Sequence, residues 1–412
     1  MAGAPAQREP HRYIVAFVAA LIGIGPLSID AYLPALPTMA QALDSTIVAA
    51  NITVSSFLLG YAIGQLFGGP ISDQIGRMRV ALFGLILLTI CSVAIAFANN
   101  MPLVQWLRGL QAVGGGFATV VAMAMIRDSF PPEEAAKRYP LVMLILLGAP
   151  LFAPGIGAAL LPLGWPSIFI FLAAYAVVIA LLFPAIGETL PHPPGKVRLA
   201  GIVPQYIAVL KTRINGRLVP LRYIFAQGLI TSVMMIFITN SAFIYLDYFA
   251  VGEQNFMFFF GANIVVMMVF SLTTSRVVGR VAPFTLFRSG RIIQLIALAG
   301  LTVCVFLSDH PETLWFTPLL ALGIGTAGMI GPSVNALYLS LFDRLAGSAS
   351  SLMATASFVF GGALGALTSA LHDGTLRPVM ATMLAAVVVA NLIAATIPAP
   401  VRVTSTPEGS PT

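Results

Sequence analysis

Charge is the scarcest property of this sequence. Lys, Arg, Asp and Glu together make up 9% of its 412 residues, where soluble domains carry roughly 25%, so a water-solvated globular domain is excluded. Cysteine is almost missing as well. Cys91 and Cys304 each sit inside an apolar run, where a free thiol behaves as a small apolar side chain, and the two suggest neither a disulfide framework nor a metal site. The four histidines, His11, His192, His310 and His372, fall in loops or termini. No His, Cys or carboxylate cluster therefore lies within an apolar run, which disfavours an intramembrane enzyme. The phosphate-cradling pattern G-x-x-x-x-G-K-[ST] is missing too, so no ATP is implied, and no cofactor is expected.

What the chain has in place of charge is apolar length. It is 58% hydrophobic with a mean hydropathy of +0.94, and stretches of the roughly twenty apolar residues needed to cross a ~30 Å hydrocarbon core recur along nearly all of it. Twelve such runs are expected, at about 13–33, 48–71, 79–98, 101–126, 139–162 and 166–186, then about 219–246, 255–275, 285–307, 313–341, 346–371 and 377–398. The distribution of basic residues tests that count, because Lys and Arg gather in cytoplasmic loops. With both termini cytoplasmic, 19 of the 21 fall on one side: Arg8, Arg12, Arg77, Arg79, Arg127, Lys137, Arg138, the six from Lys196 to Arg222, then Arg276, Arg280, Arg288, Arg291, Arg344 and Arg402. Arg377 falls on the other side, and Arg108 lies inside the fourth run. The net charge of +6 is thus explained by topology, and no nucleic-acid partner is needed. The first run has basic residues before it, as a signal peptide would, but its length marks it as a retained helix.

These features divide the chain into an N-terminal six-helix bundle (1–186), a cytoplasmic linker (187–218), a C-terminal six-helix bundle (219–400) and a disordered cytoplasmic tail (401–412). The linker holds Pro191, Pro193 and Pro194 with five basic residues. Within it LAGIVPQYIAVL reads as plain linker, with a proline that weakens the alternative of a helix lying flat on the membrane. The halves echo each other faintly: GPISDQIGRMR follows the second run and SLTTSRVVGRVA the eighth, as in transporters built from repeats. Gly60, Gly64 and Gly68, and again Gly361 and Gly365, recur every four positions, a spacing that lets helix backbones approach closely.

Of fifteen acidic residues, Asp30 is the one placed within a span. An unpaired Asp or Arg at mid-membrane costs roughly 2.5–3.5 kcal/mol on insertion scales, so such residues line cavities or pair with one another. Arg108 is the available cation. Counting from the run boundaries, Asp30 lies a few residues before the outer end of its helix and Arg108 roughly 10 Å below the outer start of its own. Asp30 is expected either to carry protons, its affinity swung by desolvation and by a nearby Arg, or to lock helix 1 in place. Arg108, permanently charged, either tunes that swing or is a static partner.

The residues also resemble a known family. GGPISDQIGRMR is similar to the loop signature G-x-x-x-D-x-x-G-R-x-R/K of the major facilitator superfamily, at Gly69, Asp73, Gly76, Arg77 and Arg79. SIDAYLPALP resembles the end of helix 1 in the Bcr/CflA drug:proton antiporters, the bicyclomycin and chloramphenicol resistance type. RGLQAVGGG resembles the helix 4 motif R-x-x-Q-G-x-G/A, giving Arg108 and Gln111. GAPLFAPGIGA resembles the proline and glycine motif of helix 5, matching at Gly148, Pro154 and Gly157, with Pro150 a second proline that removes a backbone hydrogen bond. Ala153, Ala112 and Met78 depart from those patterns, and helix 1 lacks the second carboxylate of some related exporters.

The resemblance implies an all-α integral membrane protein of the major facilitator fold in a bacterial inner membrane, acting as a monomer among lipids. It implies proton coupling through Asp30, Arg108 and Gln111, and a latch at Gly69, Asp73, Gly76, Arg77 and Arg79. In that latch Asp73 would face the N-terminus of helix 11, near Gly347 after Asp343 and Arg344. It also implies an antiport hinge at Gly148, Pro150, Pro154 and Gly157. Apolar spans with few amides suit drug-sized lipophilic substrates, with Tyr32, Asn51, Asn240, Phe243, Asn263, Asn335 and Tyr338 as candidate contacts. The expected function is proton-coupled export of an amphiphilic small molecule by alternating access. The alternative is export of a metabolite such as an amino acid or a siderophore.

Overall fold

Among the described residues of the computed structural model, twelve helices are long and apolar enough to cross a membrane. Spans 1 to 6 are Ile14–Ala42, Ile47–Ile75, Arg77–Ala96, Met101–Ser129, Glu133–Leu163 and Pro166–Ile186. Spans 7 to 12 are Val219–Tyr248, Glu253–Val277, Pro283–Leu307, Thr313–Leu339, Ala346–Ala370 and Arg377–Ala395. The structure describes residues 13–190, 195, 202–214, 216–308, 311–342 and 345–398, and no strand occurs among them. Arg8, His11, Arg12, the prolines at 191, 193 and 194, His192, Lys196, Arg198, His310, Asp343, Arg344, Arg402 and the tail 401–412 lie outside the described residues.

Successive spans alternate in direction, so every described Lys and Arg except Arg108 and Arg377 collects at one end of the molecule. We term it the basic face. The far face carries Asp44, Asp247, Glu253, Glu312 and Asp373.

Span 1 differs most from its expected form. The sequence places its end near residue 33, but a 3-10 turn (Leu33–Ala35) leads into a further helix (Leu36–Ala42). Pro34 and Pro37 look like terminators, yet each stands in the first two positions of a new helical segment, where a missing N–H costs nothing. Asp30 is consequently the last of 17 residues in the first segment of a 29-residue span, so it sits near mid-span rather than near the outer end. A second correction concerns the linker, which forms a helix over Ile202–Lys211. Its Pro204 falls in the first turn, where backbone donors have no intrahelical partner to lose.

Small residues bring spans 2 and 4 together. A Cβ at Gly60 would collide with the Gly109 carbonyl, and one at Gly64 with the Val113 carbonyl and Gly116. Gly64→Leu is therefore expected to overpack the seam by about 1–3 kcal/mol or more and to lower the monodisperse yield after solubilisation. Gly300→Leu, where nothing lies within 4 Å of the new Cβ, should leave that yield unchanged.

The apolar core has different connectivity at the two ends. Toward the far face one cluster joins Ile29, Tyr32, Leu36 and Phe57 of spans 1 and 2 to Phe237, Phe243, Tyr245, Phe256 and Phe260 of spans 7 and 8. Toward the basic face the core splits. Phe17, Ile24, Leu85, Met125 and Phe183 form one cluster within spans 1 to 6, while Tyr223, Phe287, Val334, Tyr338 and Met353 form another within spans 7 to 12.

Candidate functional site

The change from fused to split core falls on span 1 between Ile24 and Ile29, directly before Asp30. Asp30 is 2% exposed, and its Oδ1 has no hydrogen-bond partner. It ends a helical segment whose last carbonyls lack intrahelical donors. Span 5 covers the same point: a Cβ at Gly157 would run into the Ala31 carbonyl, so only glycine permits this closeness beside Asp30.

Arg108 reaches the same break without touching Asp30. Its Nη2 donates to the Ser28 carbonyl at 2.9 Å, and Nη1 donates to Gln111 Oε1. Gln111 Nε2 in turn donates to Ser92 Oγ at 2.6 Å, which is tied to the Leu88 carbonyl. The guanidinium lies 4.0 Å from the Tyr32 ring centroid, 4.3 Å from Phe57 and 5.6 Å from Phe169, an arrangement in which the ring faces attract the cation. A cation at a helix C-terminus is also favoured by the peptide dipoles. Arg108 thus meets the Asp30 segment through the Ser28 carbonyl, two residues before Asp30. Among the described residues Asp30 has no ion-pair partner.

The seven candidate substrate contacts do not share one surface. Tyr32 is buried with its hydroxyl 3.1 Å from Thr53 Oγ1. Asn51 is buried with an unpartnered Oδ1, Asn240 donates to its own helix at Ile236, and Phe243 stands edge-on to His372 at 4.4 Å. Asn263 donates to Phe259 and Phe260 and leaves Oδ1 unpartnered. All five lie toward the far face. Tyr338 lies in the basic-side cluster against Tyr223 and Phe342, and Asn335 is exposed on span 10.

On the basic face a charge lattice surrounds the turn between spans 2 and 3. Gly76 adopts φ +112°, a conformation that side chains rarely take, and a Cβ there would strike Glu188. Glu188 fills that space, accepting from the Arg77 and Met78 backbone N–H groups at 2.9 and 3.2 Å and so capping span 3. Buried Arg77 pairs with Asp73 and, at 2.9 Å, with Asp128, and donates to Ser72 Oγ. Asp73 keeps a side chain 59% exposed, and span 11 begins at Leu345–Ala346 with no side-chain cap. Arg79 is exposed, and Gly69 lies 3.8 Å from Ser351 Oγ as measured from an added Cβ. Arg77→Ala would leave the nearly buried Asp128 carboxylate with only the exposed Arg127, at 3.3 Å, a loss approaching the about 3–5 kcal/mol of breaking a buried pair. The thermal midpoint should fall sharply in the single variant and recover in part in Arg77→Ala/Asp128→Asn.

Span 5 runs as one helix through Pro150 and Pro154. Nothing stands within 4 Å of an added Cβ at Gly148, whereas Gly155 meets Met257, and Gly261 of span 8 meets Leu151.

The Major Facilitator Superfamily model matches residues 16–366. The chain belongs to the major facilitator superfamily. Among curated members it is 30% identical over 378 residues to a bicyclomycin resistance protein homolog of Haemophilus influenzae, covering 89% of this chain and 91% of the relative. It is 29% identical over 343 residues to the multidrug resistance protein MdtL of Shigella flexneri, covering 82% and 83%. Solved structures share the fold: a D-xylose-proton symporter superposes with TM-score 0.70 at 16% identity over 92% of this chain and 95% of its own. The xylose transporter XylE of E. coli, in a partially occluded inward open conformation, superposes with TM-score 0.69 at 13% identity, covering 93% and 96%. As a facilitator with these relatives, the chain is a multi-pass transporter of small molecules and not an enzyme.

Several members of this site carry no clear signal in the sequence. Asp128 looks like an ordinary helix-end acid beside Arg127, and Glu188 like the first residue of a linker. Ser92 and the Ser28 carbonyl carry no signal at all. Only Gly76, next to Arg77 in the loop signature, hints that something must occupy its missing side chain.

Proposed function

We propose that this facilitator is a proton-coupled antiporter that exports drug-like amphiphilic molecules from the cytosol of a bacterium, working as a monomer in the inner membrane with its basic face cytoplasmic. The observation that carries the reading is Asp30: a buried carboxyl with an unpartnered oxygen, standing where the closed far-side core gives way to the split basic side. The names of the bicyclomycin and multidrug resistance relatives support the substrate class.

In this reading the present conformation is open toward the cytosol. Substrate entering between the split cores meets Asn335 and then the lower rim of the aromatic gate, where Tyr32, Asn51, Asn240, Phe243 and Asn263 become accessible as the gate opens. Substrate arriving beside Asp30 displaces its proton to the cytosol. After the bundles exchange openings, a proton entering from the far side reoccupies Asp30 and substrate leaves. Arg108 and Gln111 hold the end of the helical segment that bears Asp30. Gly148, Pro150 and Pro154 supply the bend in span 5, and Gly157 transmits its movement to Ala31. Asp73 engages span 11 when the cytosolic side closes. Each unit of ΔpH then supplies about 1.4 kcal/mol per proton, and the membrane potential about 2.3 kcal/mol per charge per 100 mV.

The test is substrate-induced proton flux in everted vesicles, over a panel of phenicols, bicyclomycin, quinolones, lipophilic cations and amino acids. A signal for drug-like compounds supports the reading. A signal confined to amino acids would reassign the substrate to a metabolite.

A further inference from the structure

Pro70 lies inside the span 2 helix and has no N–H to give to the carbonyl four residues earlier. That carbonyl belongs to Leu66, and it is not left empty. The Tyr206 hydroxyl, from the linker helix, donates to it at 2.6 Å. Tyr206 is 8% exposed and forms a buried stripe with Ile202 and Val209. Val209 is part of the basic-side core of spans 7 to 12, so the linker helix rides on the C-terminal bundle while its tyrosine grips the N-terminal one. On the preceding residue Gln205 Oε1 accepts from Ser348 Oγ at 2.9 Å, in the first turn of span 11. Further upstream the Gly195 N–H donates to the Gln74 carbonyl at 2.7 Å.

The linker helix therefore holds two places at once. One is the carbonyl that Pro70 frees on span 2; the other is the opening turn of span 11, the same turn that Asp73 would have to reach. Asp73 is meanwhile turned onto Arg77. Burial, with the nearby Asp73 charge adding to it, pushes the Tyr206 phenol up to about 12 against the opposing hydrogen bond of Ser351, so the hydroxyl remains a donor at any physiological pH.

We propose that Tyr206 and Gln205 are positioning residues for the conformational step: together they clamp the basic ends of spans 2 and 11 in the spacing of the cytosol-open state, and the clamp must release before Asp73 can engage span 11. The inference rests on the alternating-access reading above. It assigns Pro70 a function different from bending the helix, namely presenting an acceptor to the linker.

The experiment uses the full chain in nanodiscs, with Cys91 and Cys304 replaced and spin labels at Lys137→Cys and Arg276→Cys, exposed sites on spans 5 and 8 at the basic face. The distance distribution between them is read without substrate or gradient. Tyr206→Phe removes the donor and should raise the ratio of short to long distances roughly fivefold, the effect of one ordinary hydrogen bond. Pro70→Ala restores a backbone donor to Leu66 and leaves the tyrosine in place, and it should produce the same shift. The double variant should shift no further than either single one. A distribution for Tyr206→Phe that superposes on the parent overturns the proposal, and so does multiplication of the two shifts in the double variant. Because no transport is measured, a failure of proton coupling elsewhere would leave this result readable.

Discussion

Asp30→Asn is expected to abolish uphill export while leaving downhill exchange of substrate intact. Asparagine matches aspartate in size and remains polar, so the packing of Ala31 against Gly157 is preserved. What it removes is the exchangeable proton. A wild-type transporter with one proton per substrate can build a substrate gradient of about tenfold for each unit of ΔpH; the variant should build none. Counterflow of labelled against unlabelled substrate, which needs binding and gate exchange but no net proton movement, should continue at a rate within severalfold of wild type. Cells carrying the variant should be as drug-sensitive as cells carrying no transporter, at equal amounts of membrane-inserted protein. Loss of counterflow along with uphill export would mean that Asp30 is needed to hold span 1 rather than to move protons.

Arg108→Lys should be nearly as damaging, although it keeps the charge. Arg108 is fully buried, and its planar fork serves Ser28 and Gln111 while lying over Tyr32 and Phe57. A lysine ammonium is a compact, strongly hydrated charge that cannot make both hydrogen bonds in that plane. It leaves at least one buried acceptor unpaired, at about 1–3 kcal/mol, and loses the ring contact at roughly 0.5–2 kcal/mol. The sum corresponds to roughly a ten- to several-thousandfold loss at the rate or population of the state that needs the cage. Arg108→Lys should therefore lower both the thermal midpoint and the turnover, with Tyr32→Phe, which spares the ring, showing much smaller effects. A lysine variant with wild-type turnover would show that charge alone is required.

The two intramembrane charges are legible in the sequence because ionisable groups in apolar spans are rare and costly, and that signal survives without any knowledge of packing. Their relation is not. Pro34 and Pro37 look like helix ends and so draw Asp30 toward the outer surface, whereas span 1 uses them to restart. The sequence leaves open whether Arg108 meets Asp30; a broken helix offers free carbonyls, and Arg108 takes that of Ser28. The close approach at Gly60 and Gly64 follows from spacing alone, since four-residue recurrence puts small residues on one side of a helix. Which way Asn335, Tyr338 and the other amide and aromatic candidates face does not follow. Spans that are apolar all round carry almost no amphipathic stripe to orient them. Asp128, Glu188 and Tyr206 are invisible for another reason: each acts on a backbone or charge more than fifty residues away, and only the folded chain brings them there.

The most direct test of proton coupling through Asp30 is pH-gradient-driven accumulation in proteoliposomes containing the purified transporter and a compound identified by the vesicle panel. With no other energy source, an imposed ΔpH should drive the compound uphill in wild type, with alkalinisation or acidification in step, and the Asp30→Asn protein should only equilibrate it. Accumulation by Asp30→Asn under the same gradient would contradict the account, because protons would then be coupled to substrate through some other group.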